Sequence, residues 1–183
     1  MILLPIYTRT SVAGLLSFGI AALSSGIALF RLRNVPAFAW PTAWIAALES
    51  LLLLDMAMDG RWALHGNVMH FALHRGFYAQ RHGIQIAGLT ILFAILLFGA
   101  AIITRRLRSR PGAVVAAWSA LLALTIWCVE LVSLHEIDAV LYREVGGFMV
   151  IAFVWMILGA TTAISIQLEA SGRNQVRPVS LGN

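Results

Sequence analysis

His70 and His74 stand four residues apart in HFALH, and His135 stands three before Asp138 in LHEID. Imidazoles at i and i+4 project from the same side of a helix and can ligate one metal ion together; imidazole suits zinc, copper or iron. Asp138 can accept the other ring N–H of His135 and so fix its tautomer for ligation or proton transfer. Glu130 adds a carboxylate ligand, and Asp55 and Asp59, also at i and i+4, supply further carboxylates or a proton path. Haem b near the same surface, held by His135 and a histidine of the 59–83 segment, is a second form of this chemistry. Each group also has a plainer role. Two histidines on the wet side of a helix can simply be solvated, and two ligands do not complete a structural metal site. Arg61 and Arg143 are at hand to turn the acids into structural ion pairs.

Several chemistries lack their motifs. There is no phosphate-binding loop, no GxSxG elbow and no HExxH, so nucleotide, acyl-hydrolase and zincin activities have no support. The five histidines are too few for the paired boxes of membrane di-iron desaturases, and none falls at mid-span where a transmembrane haem pair needs them. The lone Cys128 excludes an internal disulfide, a CxxC redox pair and a thiolate zinc cluster, and reads as a small buried hydrophobe.

The elements that must position these residues are apolar. The chain of 183 residues is 60% hydrophobic and 11% charged, with a mean hydropathy of +0.86. A soluble domain carries roughly 25% charged residues, so too few remain here to cover a wet surface. Runs at 10–30, 38–58, 84–103, 113–133 and 147–168 are each long enough to cross a bilayer. The expected fold is an all-α integral membrane protein: a bundle of about five transmembrane helices with an interfacial amphipathic helix between spans two and three. Residues 1–170 form one transmembrane domain, and 171–183 a flexible polar tail. The first run exceeds a signal-peptide core and is read as a retained helix. Pro36 and Pro41 bracket the start of the second span, which predicts spans without internal proline kinks. Ser17, Ala21, Ser25 and Ala28 line one stripe of the first span, and Gly159 with Ala163 one of the fifth, so backbones can approach closely there.

With five spans, every histidine and six of the eight acids fall at one end of the bundle. That end holds Arg9, Arg61, Arg75, Arg81 and Arg143; the other holds Arg31, Arg33, Arg105, Arg106, Arg108, Arg110, Arg173 and Arg177. The positive-inside rule then places the N-terminus outside and the C-terminus in the cytoplasm, consistent with a bacterial inner membrane. All thirteen basic residues are arginines at span ends, so the net charge of +5 reflects topology and lipid contact, with no nucleic acid implied.

On a helix over residues 62–76, Asn67, His70 and His74 share one side, and Leu64, Val68, Phe71 and Ala72 share another. Trp62, Phe77 and Tyr78 would anchor it in the interface. Glu49 stands alone near the middle of the second span. Burial without a cation favours its neutral acid, donating a hydrogen bond to a partner such as Ser17, Thr90 or Thr125, either as a structural tie or as a proton relay. The leading functional expectation is an outward-facing His/Asp/Glu pocket that binds a metal ion for redox or hydrolytic chemistry, alone or within a larger membrane complex. Its rival is a non-catalytic accessory subunit, packed against larger membrane proteins or binding lipid or pigment, whose acids pair with arginines. A small transporter or channel comes third, because five spans suit no inverted repeat.

Overall fold

The computed structural model describes residues 9–76, 81–132 and 135–174. Among these described residues seven helices follow in order: α1 Arg9–Leu32, α2 Pro36–Met58, α3 Gly60–His74, α4 Arg81–Leu107, α5 Pro111–Val132, α6 His135–Leu141 and α7 Val150–Asn174. A hairpin of β1 Glu144–Val145 and β2 Phe148–Met149 precedes α7. Helices α1, α2, α4, α5 and α7 are long and apolar enough to cross a membrane, over stretches of 21 to 27 residues. At 1.5 Å per residue even the shortest exceeds the ~30 Å of hydrocarbon it must span. The chain is thus an integral membrane protein by helix length and hydropathy, in contact with the bilayer along these five helices.

The inward faces follow a three-four spacing. On α2 the described buried positions are Phe38, Thr42, Ile45, Glu49, Leu52 and Met56; on α7 they include Ala152, Trp155, Gly159, Thr162, Ile166 and Ala170. Such a repeat keeps one seam turned toward a neighbour and favours shallow crossing angles. Helix α1 lies between α2 and α7, and α5 packs on both α7 and α2. The predicted small-residue stripe is the seam of α1: Ser17, Ala21, Ser25 and Ala28 are all buried. Ser17 Oγ donates to the Trp155 carbonyl, and a Cβ placed on Gly159 would lie 2.7 Å from the Ser17 carbonyl oxygen. Close approach of the two backbones is what the missing side chain permits. The alanine face of α5 (Ala113, Ala116, Ala117, Ala120 and Ala123) likewise brings α7 near, and Ser119 Oγ donates to the Leu158 carbonyl at 2.8 Å.

Helix α2 begins at Pro36, two residues before the apolar run, so both prolines expected to bracket its start lie within it, Pro41 in the second turn. Its ring removes one helical hydrogen bond, which the first two turns tolerate better than mid-span would. The Gly146-Gly147 pair builds the hairpin turn before the last span, with φ of 61° and 83°. Positive φ at both central residues is what a two-residue turn between right-twisted strands requires. Met149 N–H donates to Thr10 Oγ1 at 3.1 Å and ties this hairpin to the start of α1.

Helix α4 is the outlier of the bundle. It packs on α5, and its only buried residues are Ala100 and Leu107. Nearly all of its apolar surface faces outward.

Candidate functional site

The end of the bundle that collects the acids is built at a sharp corner. Asp59 adopts a left-handed conformation, φ 52° and ψ 33°, which stops α2 and starts α3 without a loop. The corner turns Arg61, in the first turn of α3, back over the tips of α2 and α5. There Arg61 Nη1 meets Glu130 Oε2 at 2.9 Å, with side-chain exposures of 9% and 1%. Arg61 Nη2 also lies 3.6 Å from Met56 Sδ, and its guanidinium stands 5.0 Å from the Trp155 ring centroid. A guanidinium is more weakly hydrated than an ammonium and stacks on aromatic faces, which suits it to this burial.

Glu130 is held from its other side. Tyr142 O–H donates to Glu130 Oε1 at 3.1 Å. Although Tyr142 follows Asp138 at i+4, its hydroxyl turns to Glu130, and the backbone carbonyl of Asp138 accepts from Tyr142 N–H at 2.9 Å. Burial, and then the negative charge of Glu130 beside it, push the Tyr142 phenol above its ordinary range. Asp55 is engaged nearby: Trp127 Nε1 donates to its Oδ2 at 2.7 Å. The tips of α2 and α5 therefore lie side by side.

Helix α3 closes over them through His65. Its Nδ1 lies 2.9 Å from the Leu131 carbonyl, and because a carbonyl only accepts, that nitrogen carries the hydrogen. Trp62 packs against both His65 and Tyr142, with ring centroids 6.1 and 6.0 Å away. Gln85, at the start of α4, donates to the Val132 carbonyl at 2.9 Å. His65, Tyr142 as a partner of Glu130, and Trp127 were not identified from sequence. The only available signal was the spacing of Trp127 and Glu130, which puts them on one face of α5.

The structure sorts the expected site residues into separate places. His70 and His74 are exposed on α3 with their Nε2 atoms 3.0 Å apart, close enough to meet at one ion. Glu130 faces Arg61 and Tyr142, and among the described residues no group of three or more His, Cys, Asp or Glu converges as a metal site. Asp59 is exposed, and Asp138 is half-buried on α6. The side chain of His135 lies outside the described residues. Of the two arginines proposed as ion-pair partners, Arg61 forms the pair, whereas Arg143 is exposed beside the hairpin and joins no ion pair among the described residues.

Glu49 is 1% exposed and separates two apolar clusters, one around Phe38, Ile45 and Ile166, the other around Phe18, Leu52 and Trp155. The partners considered for it are committed elsewhere. Ser17 donates to Trp155, Thr90 to the Ile86 carbonyl and Thr125 to the Leu121 carbonyl. The side chain that faces Glu49 is Thr162 of α7, although neither carboxyl oxygen nor Thr162 Oγ1 reaches a hydrogen bond of good geometry.

No family model, curated protein or solved structure matches the chain. The class rests on the fold itself. Apart from one short hairpin, the described residues are helical, with five helices that can span a membrane by length and hydropathy and a short helix between spans two and three that caps one end.

Proposed function

We propose that the protein is a non-catalytic subunit of a larger membrane assembly, and that the acids gathered at one end hold its helices together. The observation that carries this reading is the buried Arg61–Glu130 pair, which uses the most deeply placed acid of that end as a structural tie. Tyr142 and Trp127 engage Glu130 and Asp55 in the same way, so these carboxylates face donors of the chain itself. An α4 turned almost wholly outward agrees with a role in packing beside other membrane proteins. The arginine count, eight against five, favours an N-terminus outside and a cytoplasmic C-terminus.

Metal analysis and an optical spectrum of the protein purified in mild detergent test this reading. The expected product carries no stoichiometric transition metal and no Soret band, and migrates with partner subunits. A monomer with a defined activity, or a bound metal lost on Glu130→Gln, would overturn it.

One observation favours a second reading. The facing Nε2 atoms of His70 and His74 offer two vertices of a tetrahedral or octahedral site, with the remaining ligands supplied by water or by a partner. Zinc titration followed by calorimetry should show a weak site abolished by His70→Ala. Unchanged zinc affinity in that variant would remove this reading.

A further inference from the structure

The opposite end of the bundle holds a feature that the acid-rich end does not explain. Between α2, α4 and α5 lies a cleft of about 800 Å³. Trp40, Trp44 and Leu48 of α2 form one wall, Ile102 and Ile103 of α4 the other, and Leu121 of α5 part of its floor. It exists because α4 packs on α5 and stands off from α2. Trp40 and Trp44 are 62% and 61% exposed and meet edge-on with ring centroids 5.8 Å apart.

The cleft is polar at one place only. Arg106 and Arg110, in and just after the last turn of α4, reach into its lining. The Arg110 guanidinium sits 3.7 Å from the Phe38 ring centroid, which holds it at the mouth. Around them the same end of the molecule carries Arg31, Arg33, Arg105 and Arg108, and its one described acid is Glu169.

We propose that this cleft seats an anionic phospholipid of the surrounding leaflet, its acyl chain between α2 and α4 and its phosphate against Arg106 and Arg110. The argument for this occupant is charge complementarity at a fixed depth. A tail leaving the bilayer for the cleft exchanges one hydrocarbon environment for another, so the apolar walls alone select nothing. Selection must come from the headgroup. Each arginine near a membrane surface favours an anionic lipid by roughly fivefold, and two acting together by roughly twenty- to thirtyfold. An arginine fork also matches the geometry of phosphate oxygens. Tryptophans at the headgroup level complete a lining that is apolar below and polar at the rim.

Brominated acyl chains quench tryptophan only on contact, so the cleft can be read directly. The full chain is reconstituted in phosphatidylcholine vesicles containing a minor fraction of brominated phosphatidylglycerol or, separately, brominated phosphatidylcholine. The signal of Trp40 and Trp44 is the difference between wild type and W40F/W44F. Quenching at least fivefold more effective with phosphatidylglycerol, falling to the phosphatidylcholine level in R106Q/R110Q, is the expected result. Because Arg110 also packs on Phe38, the single variant R106Q and wild type in 1 M salt provide independent readings; each should lose most of the preference. Equal quenching by the two lipids would overturn the proposal. So would a preference unaltered by R106Q and by salt, or a cleft that neither lipid reaches because a partner helix or a second copy fills it.

Discussion

Arg61 Nη1 lies 2.9 Å from Glu130 Oε2, joining the first turn of α3 to the last turns of α5 with both side chains removed from solvent. A buried pair of this kind gives little net stability against a well-packed apolar alternative, but breaking it leaves an uncompensated charge. Its effect is therefore one of position. Through Met56, Trp155 and Tyr142 the pair fixes where α2, α5, α7 and the α6–β1 turn meet.

The α1–α7 seam should be intolerant at one glycine and indifferent at another. Gly159→Ala drives a Cβ into Ser17, against backbone as well as side chain, so the helices must part; overpacking of this kind costs about 1–3 kcal/mol. Gly26 of α1 has nothing within 4 Å of the place a Cβ would take, and Gly26→Ala should be neutral or stabilising by up to about 1 kcal/mol. Dodecyl sulfate titration of the two variants checks the contrast, and equal losses would contradict the seam.

The α2–α3 corner makes a backbone prediction. Asp59 is the only described non-glycine residue with positive φ, at 52°. Asp59→Val should be less stable than Asp59→Gly by about 1–2 kcal/mol, because a branched side chain is poorly accommodated there. The difference is read from the same titration.

Tyr142 sets a pH dependence. Its phenol is pushed up first by burial and then by the charge of Glu130, so the folded protein keeps the proton through the pH at which an ordinary tyrosine, near 10.0, gives it up. The resulting stability is fully present below the unfolded value. It is lost as pH rises through the folded one. A difference titration of phenolate absorbance, wild type minus Y142F, should show no Tyr142 ionisation around that ordinary value while the protein stays folded. An ionisation there would mean that the hydroxyl is solvated and not on Glu130.

The spans, a helix in the connection after α2, and the small-residue seam of α1 were legible because they depend on local runs and spacing. The gathering of acids at one end followed from the alternating direction of the spans, which brings the ends of spans two and four to the same side. Which face of an apolar helix turns inward was harder to read, since lipid and core are equally apolar; the outlying place of α4 had no sequence signature for that reason. Partner choice was legible only as alternatives. Arg61 and Glu130 are separated by 69 positions, and their meeting depends on the left-handed corner at Asp59. Thr162 as the neighbour of Glu49 depends on the inward faces of α2 and α7 sharing one core, whereas Ser17, Thr90 and Thr125 fit on depth alone.

A double-mutant cycle on Arg61 and Glu130 tests the central claim most directly, with Arg61→Met, Glu130→Leu and the combined variant unfolded under one set of conditions. Each single change should cost about 3–5 kcal/mol, and the pair together far less than their sum, because removing both charges leaves neither one stranded. Additive losses, or a Glu130→Leu protein as stable as wild type, would show that the acid-rich end is not held by this ion pair.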